Sequence, residues 1–205
     1  MRKIIWGMVL LSAVLWSCQN NGSAEVSEDT VQTEVGELPE MSIYHLPGVW
    51  TDQDSNSFEL QELRGKVVVM VMIYTSCKAA CPRLIADMRR IEEEVPDEYG
   101  DEVQYVMVSI DPETDTPSRM KNFAIENQMT DERWMFIRST PEMTREFASV
   151  LAVNYKRISP IDFSHSNIIS VFDRDGQMVF QQEGLDVAHT KTIQTIKDLA
   201  KQIHS

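Results

Sequence analysis

Val67 to Tyr74 reads VVVMVMIY, eight apolar residues in a row, five of them β-branched. A half-buried strand alternates apolar and polar side chains, whereas an unbroken run of this composition is the pattern of a strand covered on both faces. Met70 and Met72 are then core residues, because alternate side chains of a buried strand share one face of the sheet. Immediately after the run, TSCKAACP sets Cys77 and Cys81 four positions apart, with Pro82 following the second cysteine.

The rest of the chain supplies the layers such a strand needs. Ile43 to Trp50 and Phe58 to Leu60 flank the polar TDQDSNS and predict a short hairpin ahead of the main fold. Leu84, Ile85, Met88, Ile91 and Val95 recur at helical spacing until Pro96. Val103 to Ile110 reads as a second buried strand. The loop DPETDTP leads from it into a helix over about Pro117 to Gln128, with Thr116 as N-cap and Pro117 in the first turn. A third strand, Trp134 to Ile137, precedes a helix over Pro141 to Ala152. Arg174-Asp175-Gly176 is a hairpin turn between Asn167–Asp173 and Gln177–Gln182, and an amphipathic helix closes the chain from about Val187 to Ile203. This order is α/β and matches a thioredoxin-like fold with an N-terminal β-hairpin extension. In such sheets chemistry gathers at the carboxyl ends of the parallel strands. Cys77 follows one such end and Asp111 another.

At 205 residues the chain has room for one domain and a tail. Its N-terminus reads as a targeting signal. Arg2 and Lys3 precede an apolar run from Ile4 to Trp16, too short to span a bilayer, that ends in LWSC. Leu15 three places before Cys18, with small Ser17 next to it, resembles a bacterial lipoprotein signal, although Trp16 is bulkier than that pattern usually holds. The expectation is a signal peptide over 1–17, a lipid on Cys18, a tether over 18–40 with few large apolar residues, and a domain over 41–205. The mature protein would be exported and anchored on the periplasmic side of a bacterial membrane. With 19 basic against 32 acidic residues the net charge is −13, which disfavours nucleic acid as a partner and suits docking to basic proteins.

Of three cysteines, lipidation of Cys18 leaves Cys77 and Cys81, too few for a structural zinc site of three or four thiolates. Three roles stay open for the pair. A staple closing so short a loop removes little unfolded-chain entropy. A redox couple after a buried strand and before a helix is the thioredoxin-like arrangement, but that usually has two intervening residues where this chain has Lys78, Ala79 and Ala80. A metal site suits the wider spacing, since two thiolates are soft ligands for copper(I) and an imidazole extends the set to copper(II). Pro82 disfavours helical geometry in the residue before it, so Cys81 is expected at the N-cap, where the helix start would lower both thiol pKa values. Among His45, His165, His189 and His204, the terminal His204 and the helix-opening His189 read as solvated and His45 lies in the leading hairpin. His165, in the loop FSHSN, could swing over the helix start.

LRGKVVVMVMIYTSCKAACP, VSIDPETDTP, LAVNYKRI and FSHSNIISVFDRDG, in that order and spacing, resemble the Sco (Sco/SenC) family of copper-binding thioredoxin-like proteins. The likeness extends from about Ile43 to the C-terminus. It implies a membrane-anchored copper chaperone for the CuA centre of a respiratory terminal oxidase, holding copper(I) or copper(II) through Cys77, Cys81 and His165. It also implies an acidic loop, Asp111-Pro112-Glu113, in which Asp111 tunes the thiols, forms a docking surface or merely caps the loop. Lys78 and Ala79 stand where many members have Pro and Asp. The partners implied are the CuA-bearing subunit of an oxidase or of nitrous-oxide reductase, together with an upstream copper donor or thiol reductant. The alternative function is a thiol-disulfide oxidoreductase that uses Cys77 and Cys81 to reduce the cysteines of that client.

Overall fold

A computed structural model describes residues 36–78 and 80–203. Its strands are β1 (Trp50–Asp52), β2 (Ser57–Phe58), β3 (Val67–Ile73), β4 (Val103–Ser109), β5 (Trp134–Arg138), β6 (Tyr155–Ser159), β7 (Asp162–His165), β8 (Ile168–Phe172) and β9 (Met178–Glu183). The helices are α1 (Cys81–Glu94), α2 (Pro117–Glu126), α3 (Pro141–Val150) and α4 (Thr190–Ile203). One seven-stranded sheet runs β2-β1-β5-β4-β3-β8-β9. β3, β4 and β5 are parallel, while β8 lies antiparallel to β3.

Every residue of β3, β4 and β8 is buried, as the unbroken apolar run of β3 and the largely apolar β4 and β8 require. Each Val or Ile so covered contributes roughly 1.5–3 kcal/mol relative to exposure. The helices begin where side chains can satisfy their first N–H groups. The Thr116 hydroxyl accepts from the N–H of Arg119 and that of Thr140 from Met143, each with proline in the first turn. α1 covers the sheet with Leu84, Ile85, Met88 and Ile91, and α4 with Ile193, Ile196 and Ala200.

The leading hairpin is shorter than its sequence suggested and belongs to the sheet. Only Trp50–Asp52 and Ser57–Phe58 pair, and β1 continues antiparallel onto β5. Ile43–His45 is instead a turn of 3-10 helix, with the N–H of Ile43 donated to Gly176 O at 2.9 Å. The strand cannot extend back through Pro47, which lacks an N–H, and Gly48, at φ +119°. In the predicted turn Gly176 sits at φ +78°, and a Cβ there would lie 2.7 Å from Ser42 Oγ. Leu38 already packs against the core, a few residues before the expected start of the domain.

The segment 154–166 carries no predicted strand and ends within the loop FSHSN. The structure makes it a separate antiparallel ribbon, β6 paired with β7, which joins no strand of the main sheet. Tyr155 stands opposite His165 and Arg157 opposite Phe163. Among the described residues no helix is long and apolar enough to cross a membrane. Cys18 and the rest of the proposed signal, with His204, lie outside the described residues.

Candidate metal centre

β3 delivers the chain to the carboxyl edge of the sheet, where it turns through Tyr74, Thr75 and Ser76 into Cys77. The Cys77 N–H closes that turn on Tyr74 O at 3.2 Å. Cys81 opens α1 as its first residue instead of capping it, and Ala80 takes the cap position. Pro82 is tolerated at the second helical position because the first N–H groups of a helix have no partner within it. One of those N–H groups, from Cys81, is donated to Cys77 Sγ at 3.3 Å. No disulfide joins the two cysteines.

Burial decides the chemistry of the second cysteine. Cys81 is 0% exposed and Cys77 9%. Desolvation pushes the Cys81 thiol far above the ordinary range, and neighbouring Cys77 and Asp115 push the same way against a backbone hydrogen bond from Tyr74. The expected lowering by the helix start is therefore overturned at Cys81. In a dry site, removing a thiolate from water costs more than the first turn of a helix returns.

His165 is the last residue of β7, not part of a swinging loop. Its Nδ1 lies 3.0 Å from Ser166 O. A carbonyl only accepts, so Nδ1 carries the proton and Nε2 keeps its lone pair. That lone pair faces the cysteines, with Nε2 3.9 Å from Cys81 Sγ. Burial holds the imidazole below its usual 6.5, which favours the neutral ring a metal needs. The ligand atoms of Cys77, Cys81 and His165 all lie within 4.8 Å of one another. Two sulfurs and a neutral imidazole nitrogen at that spacing form a soft three-donor set that one ion can bridge by small side-chain movement.

The other histidines are elsewhere. His45 is exposed and contacts Pro39 O at 3.0 Å. His189, expected in solvent, is 4% exposed and pairs at 3.2 Å with Asp87, itself 0% exposed within α1. Asp111 is 2% exposed and its carboxylate accepts from Arg157 of β6 at 2.8 Å. Arg157 also lies 4.4 Å above the Phe163 ring. Asp111 thus contacts the hairpin that bears His165. The carboxylate whose charge reaches Cys81 is Asp115, buried among Ser109 and Thr75 donors.

Sequence reasoning missed Asp115, Tyr74, Arg157 and Asp162 as parts of this centre. The available signal was DFSH after SPI, a short alternating strand after a turn, which would have put His165 on the same face as Phe163.

A sequence model of the SCO1/SenC family matches residues 44–201. The SCO1 protein homolog of Bacillus subtilis is 26% identical over 161 residues, covering 74% of this chain and 83% of that protein. Among solved structures, ScoI of Bradyrhizobium japonicum with copper bound superposes with a TM-score of 0.60 at 25% identity, over 75% of this chain and 97% of that one. A SCO1/SenC family lipoprotein of Bacillus anthracis gives 0.69 at 24% identity, over 77% and 95%, and bears on the fold. The family match spans every element from the 3-10 turn to α4 and includes both cysteines and His165, and on that ground the chain belongs to the SCO1/SenC family.

Proposed function

We propose that this protein carries copper, taking one ion through Cys77 Sγ, Cys81 Sγ and His165 Nε2 and passing it to the CuA-bearing subunit of a respiratory terminal oxidase or nitrous-oxide reductase. The observation that carries the reading is the convergence of those three atoms within 4.8 Å, with the imidazole lone pair turned to the sulfurs. Copper(I) prefers the thiolates, and the nitrogen makes the set serviceable for copper(II). Copper is cargo here, so the protein's task is to hold the donors and exclude water until a second ligand set takes over. Cys81 is fully covered, whereas Cys77 and His165 retain some exposure, so accepting ligands enter on their side. The likeness to a copper-loaded ScoI supports the metal, and the family resemblance supports the client. In this reading residues 1–17 are a signal peptide, Cys18 carries a lipid, and the tether lets the domain reach its client from a membrane surface.

Anaerobic titration of the reduced full-length chain, followed by absorption and electron paramagnetic resonance, tests this. Expected are one copper per chain, thiolate-to-copper(II) absorption and a nitrogen signature. His165→Ala should lose copper(II) affinity beyond the roughly 10–100-fold that an outer-shell partner is worth. Wild-type affinity in that variant would falsify the three-ligand set.

The same titration has a pH arm. Because burial lowers His165 below 6.5, the folded chain binds fewer protons there than the unfolded chain, and the neutral ring survives to lower pH. Before copper is added, the proton titration of this ring should centre below 6.5, where a solvated imidazole is already half protonated. A midpoint at that value would show an ordinary exposed ring.

A second reading has its own support in two reduced cysteines in contact, the Cys81 N–H being donated to Cys77 Sγ. In thiol-disulfide exchange the two thiols would close to a disulfide while a client disulfide opens to two thiols, moving two electrons and two protons. In that role His165→Ala keeps full reductase activity and Cys77→Ser loses it.

A further inference from the structure

No strand of the main sheet holds His165. The β6–β7 hairpin pairs only with itself, so the place of the imidazole depends on side-chain ties between hairpin and body. Arg157 to Asp111 is one tie, and Ser76 Oγ to Ile161 O, at 3.4 Å, is a weaker one. Tyr74 makes two more. It directly follows β3, three residues before Cys77, and is 1% exposed. Its hydroxyl donates to the Asp162 carboxylate and accepts from the Phe163 N–H at 3.3 Å. The Tyr74 ring stands edge-on to Phe163, with centroids 5.1 Å apart, and to His165, at 5.8 Å.

From these contacts we propose that Tyr74 is a positioning residue for the third ligand: rooted on the strand that carries the cysteine loop, it locks the hairpin through Asp162 and Phe163 and so keeps His165 Nε2 against the sulfurs. The proposal rests on the copper reading. A tyrosine at the end of a buried strand would ordinarily be core, and a phenylalanine would pack there equally well. What packing does not require is a hydroxyl aimed at a carboxylate on an exposed hairpin residue, with the next backbone N–H on the same oxygen. That bond joins the two segments that must converge. It is made by a side chain that follows β3 directly, bonds the hairpin and lies edge-on to the ligand ring. Outer contacts of this kind fix the orientation of a ligating histidine and are worth roughly 10–100-fold in metal affinity.

Tyr74→Phe keeps the ring and deletes the tie. In the full-length chain it is expected to weaken copper(II) binding by roughly 10–100-fold in a chelator competition, to diminish the nitrogen signature, and to leave the melting temperature of the metal-free protein within a few degrees. Asp162→Ala, which removes the same bond from the other side, should change affinity and spectrum in the same direction. In a His165→Ala background Tyr74→Phe should cost nothing further, since a residue acting through the imidazole has nothing left to position. An equal loss in both backgrounds, or no loss in either, overturns the assignment. A wild-type chain that binds copper without a nitrogen signature also overturns it, together with the three-ligand set, and that result is read before any variant is made.

Discussion

Cys81→Ser is expected to abolish tight copper(I) binding and to remove the part of its pH dependence that belongs to this thiol. The argument begins with the burial of the sulfur. A thiol pushed far above its ordinary range by desolvation is protonated at neutral pH, so copper must displace that proton. Each proton so displaced makes the apparent affinity climb about tenfold per pH unit, since one pKa unit is a factor of ten in the equilibrium. Serine offers a hard oxygen that stays protonated throughout, in a pocket with no water to replace the lost donor. Cys77→Ser should also bind poorly, but its residue lies at the rim, at 9% exposure, where water can take the missing position. Copper(I) competition from pH 6 to pH 8, with proton release measured in weak buffer, reads both effects. Proton-neutral binding in the wild type would mean that both sulfurs are already thiolates and that the helix start outweighs burial at Cys81.

The fold was legible because its signals are local. The apolar runs of β3, β4 and β8 reveal two-sided burial, and Thr116-Pro117 and Thr140-Pro141 mark helix starts by their chemistry alone. Cys77 and Cys81 were legible for the same reason: one strand end and one helix start, four residues apart, fix both. His165 was legible as a residue but not as a position. Its place is set by pairing with Tyr155 and by contacts with Tyr74, residues 10 and 91 positions away, and no local pattern encodes such a meeting. The state of Cys81 was misread because the helix start is visible in sequence, whereas the side chains that exclude water from the sulfur come from the whole fold. Asp111 and Asp115 show the same limit. They share one short acidic loop, and nothing in DPETD says which of them faces the hairpin and which turns under the strand ends.

That pair separates stability from function. Asp115 accepts from the Thr75 N–H at 3.2 Å, the Thr75 hydroxyl at 2.5 Å and the Ser109 hydroxyl at 2.6 Å, tying the ends of β3 and β4 beneath the cysteine loop. It is 0% exposed, so Asp115→Ala strands the buried Ser109 hydroxyl, at about 1–3 kcal/mol, and leaves the half-buried Thr75 donors without their acceptor at a smaller cost. A total of roughly 3 kcal/mol follows, which for a domain of this size lowers the melting temperature by about 6–12 °C. Asp111→Ala differs because Arg157, 42% exposed, can turn to solvent when its partner is removed. A half-exposed pair of this kind is worth at most about 1 kcal/mol, so the expected melting shift is only a few degrees. Its larger effect should fall on the hairpin, which loses one of its ties to the body, and hence on the nitrogen signature of bound copper(II). Melting curves and copper(II) spectra of the two variants therefore move in opposite proportion. Equal melting losses with an undisturbed nitrogen signature in Asp111→Ala would make both carboxylates simple braces of the loop, and the hairpin would have to be held by Tyr74 and the weaker Ser76 tie.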